Sequence, residues 1–141
     1  MDLSDYMLKN PIKATADDNI FTAIRLITEN KISGLCVVDG ENTLVGILSE
    51  LDCLRAILGA TYNQSGDAGT VREFMTTDVV VCKPYYDVVS VARDMLQKGH
   101  RRRPVVDGEY KLIGQITCRQ LLRAVDEFNK GEQSPRGASA K

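Results

Sequence analysis

The chain has 141 residues, of which 43% are hydrophobic and 26% are charged, so it can bury the core of one globular domain but has little room for two independent folds. Eighteen Lys and Arg residues against nineteen Asp and Glu residues give a formal net charge of −1. This charge balance argues against a general binder of nucleic acid or of membrane surfaces, because both functions require a strongly positive face.

In chain order, the first half predicts a β-α-β-β-α unit. A short extended segment near Ile12 precedes a helix whose apolar residues recur at a spacing of three to four, and Asp18 is a plausible N-cap of that helix. Two strands follow, at 35–38 and 44–48. The Asp39-Gly40 pair between these strands is a hairpin signal.

The second half predicts the same elements in the same order. An extended segment near Val80 precedes a helix with Asp87 as its plausible N-cap. Strands at 104–106 and 112–116 follow, separated by an Asp107-Gly108 pair. We therefore expect two similar units along one chain.

An internal repeat relates the two halves. The segment VVDGE occurs at 37–41 and again 68 residues later at 105–109, and twelve positions are identical between 5–58 and 73–126, where composition alone gives about three. Because each half is short, we expect the two to pack sheet against sheet about a pseudo-twofold axis, with clefts along it. The predicted fold class is α/β (α+β), with two pseudo-symmetric β-α-β-β-α repeats.

Two segments break the repeat. Residues 59–70 are rich in Gly, Ser, Thr and Asn and are predicted to link a first repeat, 3–58, to a second repeat, 71–127. Residues 128–141 have almost no apolar content and are predicted to form a disordered tail. No apolar run approaches the length of a membrane span and the first residues lack the layout of a signal peptide, so the sequence predicts a cytoplasmic protein.

The cysteines are interpreted as free thiols. Cys36, Cys53, Cys82 and Cys118 stand far apart without a CxxC pair, and His100 is the one histidine of the sequence. This pattern favours neither a zinc site nor a short-range disulfide framework, so we expect buried or half-buried thiols in a reducing compartment. We expect no metal site and no required cofactor.

Two segments carry a family resemblance. They are SGLCVVDGENTLVGILSELDCLRA at 33–56 and GHRRRPVVDGEYKLIGQITCRQLLRA at 99–124. Together they resemble two consecutive CBS motifs, which form a Bateman module, and the resemblance covers roughly residues 3–127. It implies a fold of two β-α-β-β-α repeats, frequent pairing of two modules into a homodimeric disc, and binding of adenosine-containing ligands in clefts between repeats.

The ligand motif of this family is a Gly, two apolar residues, a Ser or Thr, two variable residues and an Asp. Residues 46–52, GILSELD, match it fully. The resemblance implies that Ser49 contacts ribose or phosphate at the start of the last helix and that Asp52 accepts the ribose hydroxyls, roles that suit a helix N-terminus and a carboxylate. The alternative is a capping box of Ser49 and Asp52 with no ligand, and both roles can coexist.

The second half departs from this motif. Thr117 keeps the hydroxyl at the helix start, but Gln120 stands where the acid is expected. Glutamine completes a capping box better than aspartate does and accepts ribose hydroxyls less well. We therefore expect one competent cleft and one that is weakened or empty.

The run at 99–104, GHRRRP, is the densest positive charge of the sequence. The resemblance implies that basic residues at this place contact the phosphates of a nucleotide held by the other repeat, which makes Arg101, Arg102 and Arg103 candidates, since guanidinium groups match phosphate oxygens. The alternative is that the three arginines border an edge strand in water. His100 is interpreted as a surface residue, with a pH switch or a ring against adenine as its functional alternatives.

The resemblance also implies apolar walls and backbone hydrogen bonds for a purine, on the early strand of the first repeat and on the strand after its first helix. The candidates are Ile12, Lys13, Thr15 and Val37.

The leading hypothesis is a regulatory sensor that binds AMP, ADP or ATP, with S-adenosylmethionine and NAD as second choices, and that changes conformation or dimer packing to act on an unidentified protein. The alternative is a structural or dimerisation module whose clefts bind no functional ligand. The sequence offers no GxxxxGK[ST] loop, no GxSxG elbow and no metal-ligand cluster, so we do not predict an enzyme. No nucleic-acid or membrane partner is predicted.

Overall fold

The computed structural model describes the backbone of residues 1–62 and 68–140, and the side-chain environments of residues 1–59 and 68–131. The first half contains a 3₁₀ turn, four strands and two helices: Leu3–Asp5, β1 (Leu8–Lys9), β2 (Lys13–Thr15), α1 (Ile20–Asn30), β3 (Gly34–Val38), β4 (Leu44–Ser49) and α2 (Glu50–Tyr62). The second half contains three helices and two strands: α3 (Val71–Phe74), α4 (Val88–Lys98), β5 (Arg102–Val106), β6 (Leu112–Thr117) and α5 (Cys118–Ala140). The mixed α/β class is confirmed.

The strand predicted near Ile12 is β2, whereas the described residues form no strand near Val80. At the equivalent place Cys82 makes a single parallel bridge to Val105. The second half therefore keeps the position of this strand with less pairing.

The helix caps follow from where the helices begin. Asp87 caps α4, since its Oδ2 accepts from the backbone N–H of Ser90 at 3.1 Å. The prediction of Asp18 as the cap of α1 was wrong, because the residue directly before the helix is Asn19, whose Oδ1 accepts from the N–H of Phe21 at 2.8 Å. Asp18 instead accepts from the N–H of Thr15 at 2.8 Å.

The β3–β4 connection is longer than the Asp39-Gly40 pair suggested. It spans residues 39–43, with Asp39 Oδ1 accepting from the N–H groups of Thr43 and Glu41, both at 2.9 Å. These two bonds hold the pKa of Asp39 below its usual value. Asn42 takes a positive φ of 65° to complete the turn, a conformation that asparagine tolerates. The second half repeats the same five-residue connection.

The two halves exchange their first segments. One sheet has the order β2-β3-β4 and the other the order β1-β6-β5. Strand β1, from the first segment of the first half, pairs antiparallel with β6 of the second half, Leu8 opposite Gln115. In the equivalent place Thr76, from the first segment of the second half, bridges Ile47 of β4. The sequence repeat did not predict this exchange.

The exchanged segments also enter the cores. Leu3 is fully buried and packs with Val88 and Ile116 in the core of the second half. Val71, also fully buried, packs with Ile20 in the core of the first half. Burying one such apolar side chain contributes about 1.5–3 kcal/mol. Neither half therefore has a complete core without a segment from the other.

The two sheets face each other across the pseudo-twofold axis, as the sequence predicted. Cys36 and Val38 of β3 pack with Val106 and Leu112 of the second half. The Cys36 thiol lies 3.6 Å from Gln115 Oε1 and donates to it, and burial raises its pKa to about 12, so the thiol stays protonated.

The cysteine prediction is confirmed in part. Cys36, Cys53 and Cys82 are free and buried, whereas Cys118 is free and exposed at the first position of α5.

The predicted linker and tail are partly helical. Residues 59–62 belong to α2, while residues 63–67 of the predicted linker lie outside the described residues. Helix α5 continues through residues predicted as a disordered tail, as far as Ala140. The ion pair between Lys130 Nζ and Asp126 Oδ2, at 3.1 Å and a spacing of four, supports this extension. Within the described part of the chain, no helix combines the length and the apolar character that a membrane crossing demands.

Gly46 and Gly114 occupy equivalent places where the exchanged segments cross β4 and β6. A Cβ atom added at Gly46 would lie 2.8 Å from both Met75 Sδ and the carbonyl oxygen of Thr76, and one at Gly114 would lie 2.7 Å from Met7 Sδ. The glycine of the sequence motif therefore admits the crossing segment.

We expect Gly46→Ala to lower the free energy of unfolding by about 1–3 kcal/mol, because the methyl group collides with the crossing backbone. Gly40→Ala is the control, since nothing lies within 4 Å of its added Cβ. Urea unfolding of both variants measures the difference, and a Gly46→Ala variant as stable as Gly40→Ala would contradict the crossing contact.

Candidate functional site

The first cleft lies at the start of α2. It consists of two connected pockets of about 380 and 330 Å³ that share four lining residues: Ile47, Ser49, Arg102 and His100. One pocket extends toward Glu50 and Arg101, and the other extends toward Asp52 and the segment 76–80. The cleft thus combines residues of both halves.

Ser49 and Asp52 form a reciprocal capping box. Asp52 Oδ2 accepts from the N–H of Ser49 at 2.9 Å, and Ser49 Oγ accepts from the N–H of Asp52 at 3.1 Å. Asp52 Oδ1 accepts in addition from Arg55 Nη1 at 2.9 Å. The capping alternative raised from the sequence is therefore present in the structure.

The helix cap leaves some hydrogen-bond acceptor sites of Asp52 unused. A carboxylate offers about four lone-pair sites, and the contacts with Ser49 and Arg55 use two of them. The side chain is 10% exposed, and that exposure opens onto the cleft. Asp52 can therefore accept hydroxyl donors from a ligand while it caps α2.

The opposite wall carries the arginines. Arg101 and Arg102, from the second half, line the cleft together with Ser33 of the first half. The Arg102 guanidinium donates a hydrogen bond to Ser33 Oγ, and partial burial lowers its pKa. The positive charge predicted at this place faces the hydroxyl and carboxylate of the α2 N-terminus.

Arg103 points elsewhere, contrary to its interpretation as a phosphate contact. It is buried, with its Nη2 2.7 Å from Asp94 Oδ2, and its Nε donates to His100 Nδ1 at 3.1 Å. The Arg103 guanidinium, followed by the Lys98 ammonium, holds the pKa of Asp94 below its usual value. Alternation along β5 explains the difference, because neighbouring side chains of a strand face opposite sides of the sheet.

The purine-wall candidates of the first half do not line this cleft. Val37 is fully buried in the first core, and Lys13 Nζ donates to Asn42 Oδ1 at 2.7 Å. Ile12 packs against the first core and Thr15 is half-buried on β2. The exchange of first segments accounts for this, because it brings the equivalent segment of the second half to the first cleft.

Sequence reasoning missed the residues that replace them. Thr76, Asp78, Val79 and Val80 line the first cleft. The 68-residue repeat places Val80 at the position equivalent to Ile12. The right position within a repeat was therefore named, but it was assigned to the wrong half for this cleft. His100 lines the cleft as well, at the end of its arginine wall.

A second cleft of about 390 Å³ lies at the start of α5. Thr117 and Gln120 form the same kind of capping box there, with Gln120 Oε1 accepting from the N–H of Thr117 at 2.9 Å and Thr117 Oγ1 accepting from the N–H of Gln120 at 3.4 Å. Leu8 of the exchanged segment lines this cleft, as Thr76 lines the first. The two clefts are therefore related by the pseudo-twofold axis.

Comparisons with known proteins agree with this geometry. The CBS domain family model matches residues 3–59 and again residues 71–127. An inosine-5'-monophosphate dehydrogenase of Nitrosopumilus maritimus is 36% identical over 125 residues, which span 87% of this chain but 24% of the dehydrogenase. A protein of Methanocaldococcus jannaschii is 30% identical over 150 residues, spanning 84% of this chain and 88% of that protein.

Solved structures show the same fold. The crystal structure of CBSX2 in complex with AMP has a TM-score of 0.81 and 29% identity, over 91% of this chain and 98% of that chain. CBSX2 is a CBS-pair protein of Arabidopsis thaliana. The CBS domain pair of protein MJ0100, in complex with 5'-methylthioadenosine and S-adenosyl-L-methionine, has a TM-score of 0.76 and 26% identity, over 90% of this chain and 97% of that chain. Because the family model matches both halves, and because the halves exchange their first segments and form a pair of related clefts, the chain belongs to the CBS domain family and carries two CBS domains in tandem.

Proposed function

We propose that the first cleft binds an adenine nucleotide and that this binding regulates a partner protein. The observation that carries the proposal is the pairing, across one cleft, of the Ser49 and Asp52 capping box with Arg101 and Arg102 from the other half. A hydroxyl and a carboxylate on one wall and two guanidinium groups on the other complement the two polar parts of a nucleotide.

Each part of a nucleotide has a counterpart in the cleft. The free lone pairs of Asp52 suit the two ribose hydroxyls, and Ser49 lies beside them. The guanidinium groups of Arg101 and Arg102 suit the phosphates. The apolar side chains of Val79 and Val80 lie in the pocket of Asp52 and suit the faces of the adenine ring.

The relatives support the adenosine part of the proposal. CBSX2 is in complex with AMP, and the MJ0100 pair is in complex with 5'-methylthioadenosine and S-adenosyl-L-methionine, all of which contain adenosine. Within this set, Arg101 and Arg102 favour ligands with phosphate groups. We therefore propose AMP, ADP or ATP, ahead of S-adenosylmethionine and NAD.

The regulatory part follows from the position of the cleft. A ligand in it contacts residues of both halves, so it has a different affinity for two arrangements of the halves and shifts their populations. A protein that recognises one arrangement senses the ligand. We propose no catalytic activity for the module, and a cytoplasmic location as expected from the sequence.

A structural module without a functional ligand is the second candidate. It is favoured by the capping boxes themselves, since Ser49 with Asp52 and Thr117 with Gln120 each stabilise a helix start with no ligand bound. Ligand binding measurements distinguish the two candidates.

We also propose that two copies of the chain pair through their helices. Large apolar side chains are exposed at equivalent places on α2 and α5, with Leu54 56% and Leu122 70% exposed, and Leu51 adds to them on α2. In a twofold pairing the same patch of each copy meets its counterpart, so an apolar patch is buried against an apolar patch, and exposed apolar patches of this kind mark interfaces.

The first experiment is a thermal-shift screen of the nucleotide-stripped protein with adenosine, AMP, ADP, ATP, NAD, S-adenosylmethionine and GTP at millimolar concentrations. A ligand that binds only the folded state raises the midpoint, and we expect the largest rise with an adenine nucleotide, a smaller rise with adenosine and none with GTP. No rise with any compound would favour the structural module.

Asp52→Gln tests the ribose contact without removing the helix cap. Gln120 shows that glutamine forms the same capping box in this fold, so we expect an unchanged thermal midpoint within a few degrees and an affinity for AMP about tenfold weaker or more. Calorimetric titration measures the affinity. Asp52→Ala is the comparison, since it should also lose about 0.5–2 kcal/mol of stability. Equal affinity for AMP in Asp52→Gln and the parent would reject the ribose assignment.

The dimer prediction is tested on the exposed helix face. We expect the double variant Leu54→Glu/Leu122→Glu to sediment as a monomer at concentrations where the parent is a dimer, because four carboxylates would then meet in an apolar interface. Tyr85→Glu, at an exposed aromatic residue outside the helices, is the control, and we expect that variant to sediment as the parent does. A parent chain that sediments as a monomer would contradict the pairing.

A further inference from the structure

The second cleft has kept its volume. At about 390 Å³ it is as large as either one of the two pockets that make up the first cleft, which have volumes of about 380 and 330 Å³. The replacement of the acid by Gln120 predicted a weakened or empty site, yet no larger side chain has filled the space. The two clefts differ in the chemistry of their walls.

The wall of the second cleft is strongly positive. Of the twelve residues that line it, none is acidic and four are basic: Lys31, Arg101, Arg102 and Arg119. The first cleft is lined by three carboxylates: Glu50, Asp52 and Asp78. Because the charged residues that line the two clefts differ in sign, the two clefts suit different ligands.

None of the four positive charges is paired directly with a carboxylate of the described residues. In the parts of the chain that the structure describes, neither Lys31 nor any of the three arginines forms an ion pair within 4.0 Å. They come from separate segments: Lys31 ends α1, Arg101 and Arg102 lie at the start of β5, and Arg119 lies in the first turn of α5. The fold therefore brings like charges to one cleft, at an energetic cost that an anion relieves.

The start of α5 adds hydrogen-bond donors, which favour an anion as the positive charges do. Gln120 Oε1 already accepts from the N–H of Thr117, which uses one of its two lone pairs, and the amide nitrogen of Gln120 adds a donor that a carboxylate lacks. The positive end of the α5 dipole acts in the same direction. A ribose, whose hydroxyls need an acceptor, has no carboxylate here.

We propose that the second cleft binds a phosphate chain of two or more phosphate groups and does not recognise a nucleoside. Guanidinium groups bind phosphate oxygens in pairs, and a chain with three or four negative charges matches four positive ones better than a single phosphate does. This inference goes beyond the proposed function, which concerns the first cleft.

Two sources provide such a chain. One is a free inorganic chain. The other is the phosphate tail of a nucleotide whose ribose lies in the first cleft, because Arg101, Arg102 and Ser33 line both clefts. The two sources share their chemistry and differ in whether the first cleft takes part.

Calorimetric titration with tripolyphosphate at about 0.15 M salt tests the proposal. The double variant Lys31→Asn/Arg119→Gln removes the two charges that belong to the second cleft alone, and asparagine tolerates the positive φ of 54° at position 31. We expect its affinity for tripolyphosphate to fall about tenfold or more. The control Arg123→Gln/Lys130→Gln removes two exposed charges of α5 away from the cleft, and we expect a change of less than about twofold.

The same variants separate the sources. If the chain is free, Lys31→Asn/Arg119→Gln loses tripolyphosphate and keeps the ATP affinity of the parent. If the chain is a nucleotide tail, the variant binds ATP more weakly and AMP as the parent does. In either case Asp52→Gln should bind tripolyphosphate as the parent does, so a failure of the nucleotide proposal leaves this test intact.

Three results would overturn the inference. They are the absence of tripolyphosphate binding to the parent at millimolar concentration, an affinity unchanged in Lys31→Asn/Arg119→Gln, and an equal loss in the control variant. The last would show a general attraction between a polyanion and the protein surface.

Discussion

The structure depends on the exchange of first segments between its two halves. Strand β1 pairs with β6, the bridge from Thr76 to Ile47 repeats this pairing on the other side, and Leu3 and Val71 each complete the core of the opposite half. The exchange brings chain segments from both halves into each cleft. Each cleft therefore depends on both halves, because neither half alone supplies both walls.

The repeat is visible in the residues themselves, and the longer helices and strands β2 to β6 could be predicted because hydrophobic periodicity and turn residues are local. Of the predicted helix caps, Asp18 was wrong. Asp87 and Ser49 cap helices where hydroxyl and carboxylate residues precede apolar periodicity. The exchange could not be predicted in the same way, since a 68-residue shift is satisfied whether Val80 serves its own half or the other. The apolar wall of the first cleft was consequently assigned to Ile12 and its neighbours, whereas Val79 and Val80 line that cleft.

The structure brings candidate residues together where they stand next to a helix start, and it separates them where strand alternation decides which side of the sheet a side chain faces. Arg101 and Arg102 line the first cleft, while Arg103, one position further along, turns inward to Asp94. A run of three like residues carries no signal of which one is buried. The capping boxes show a different case. Asp52 and Gln120 accept the same backbone hydrogen bond, but the carboxylate of Asp52 has only acceptors left, whereas the amide of Gln120 also carries a donor.

The exchange also bears on how the chain reaches its native state during synthesis. A first half that has just left the ribosome has an open edge at Ile47 and an unfilled place in its core until Val71 and Thr76 have been made. Leu3, made before both of them, has no core to enter until the strands of the second half exist. An N-terminal unit usually folds before the next unit is translated. This chain cannot follow that order, so both halves complete their folding together.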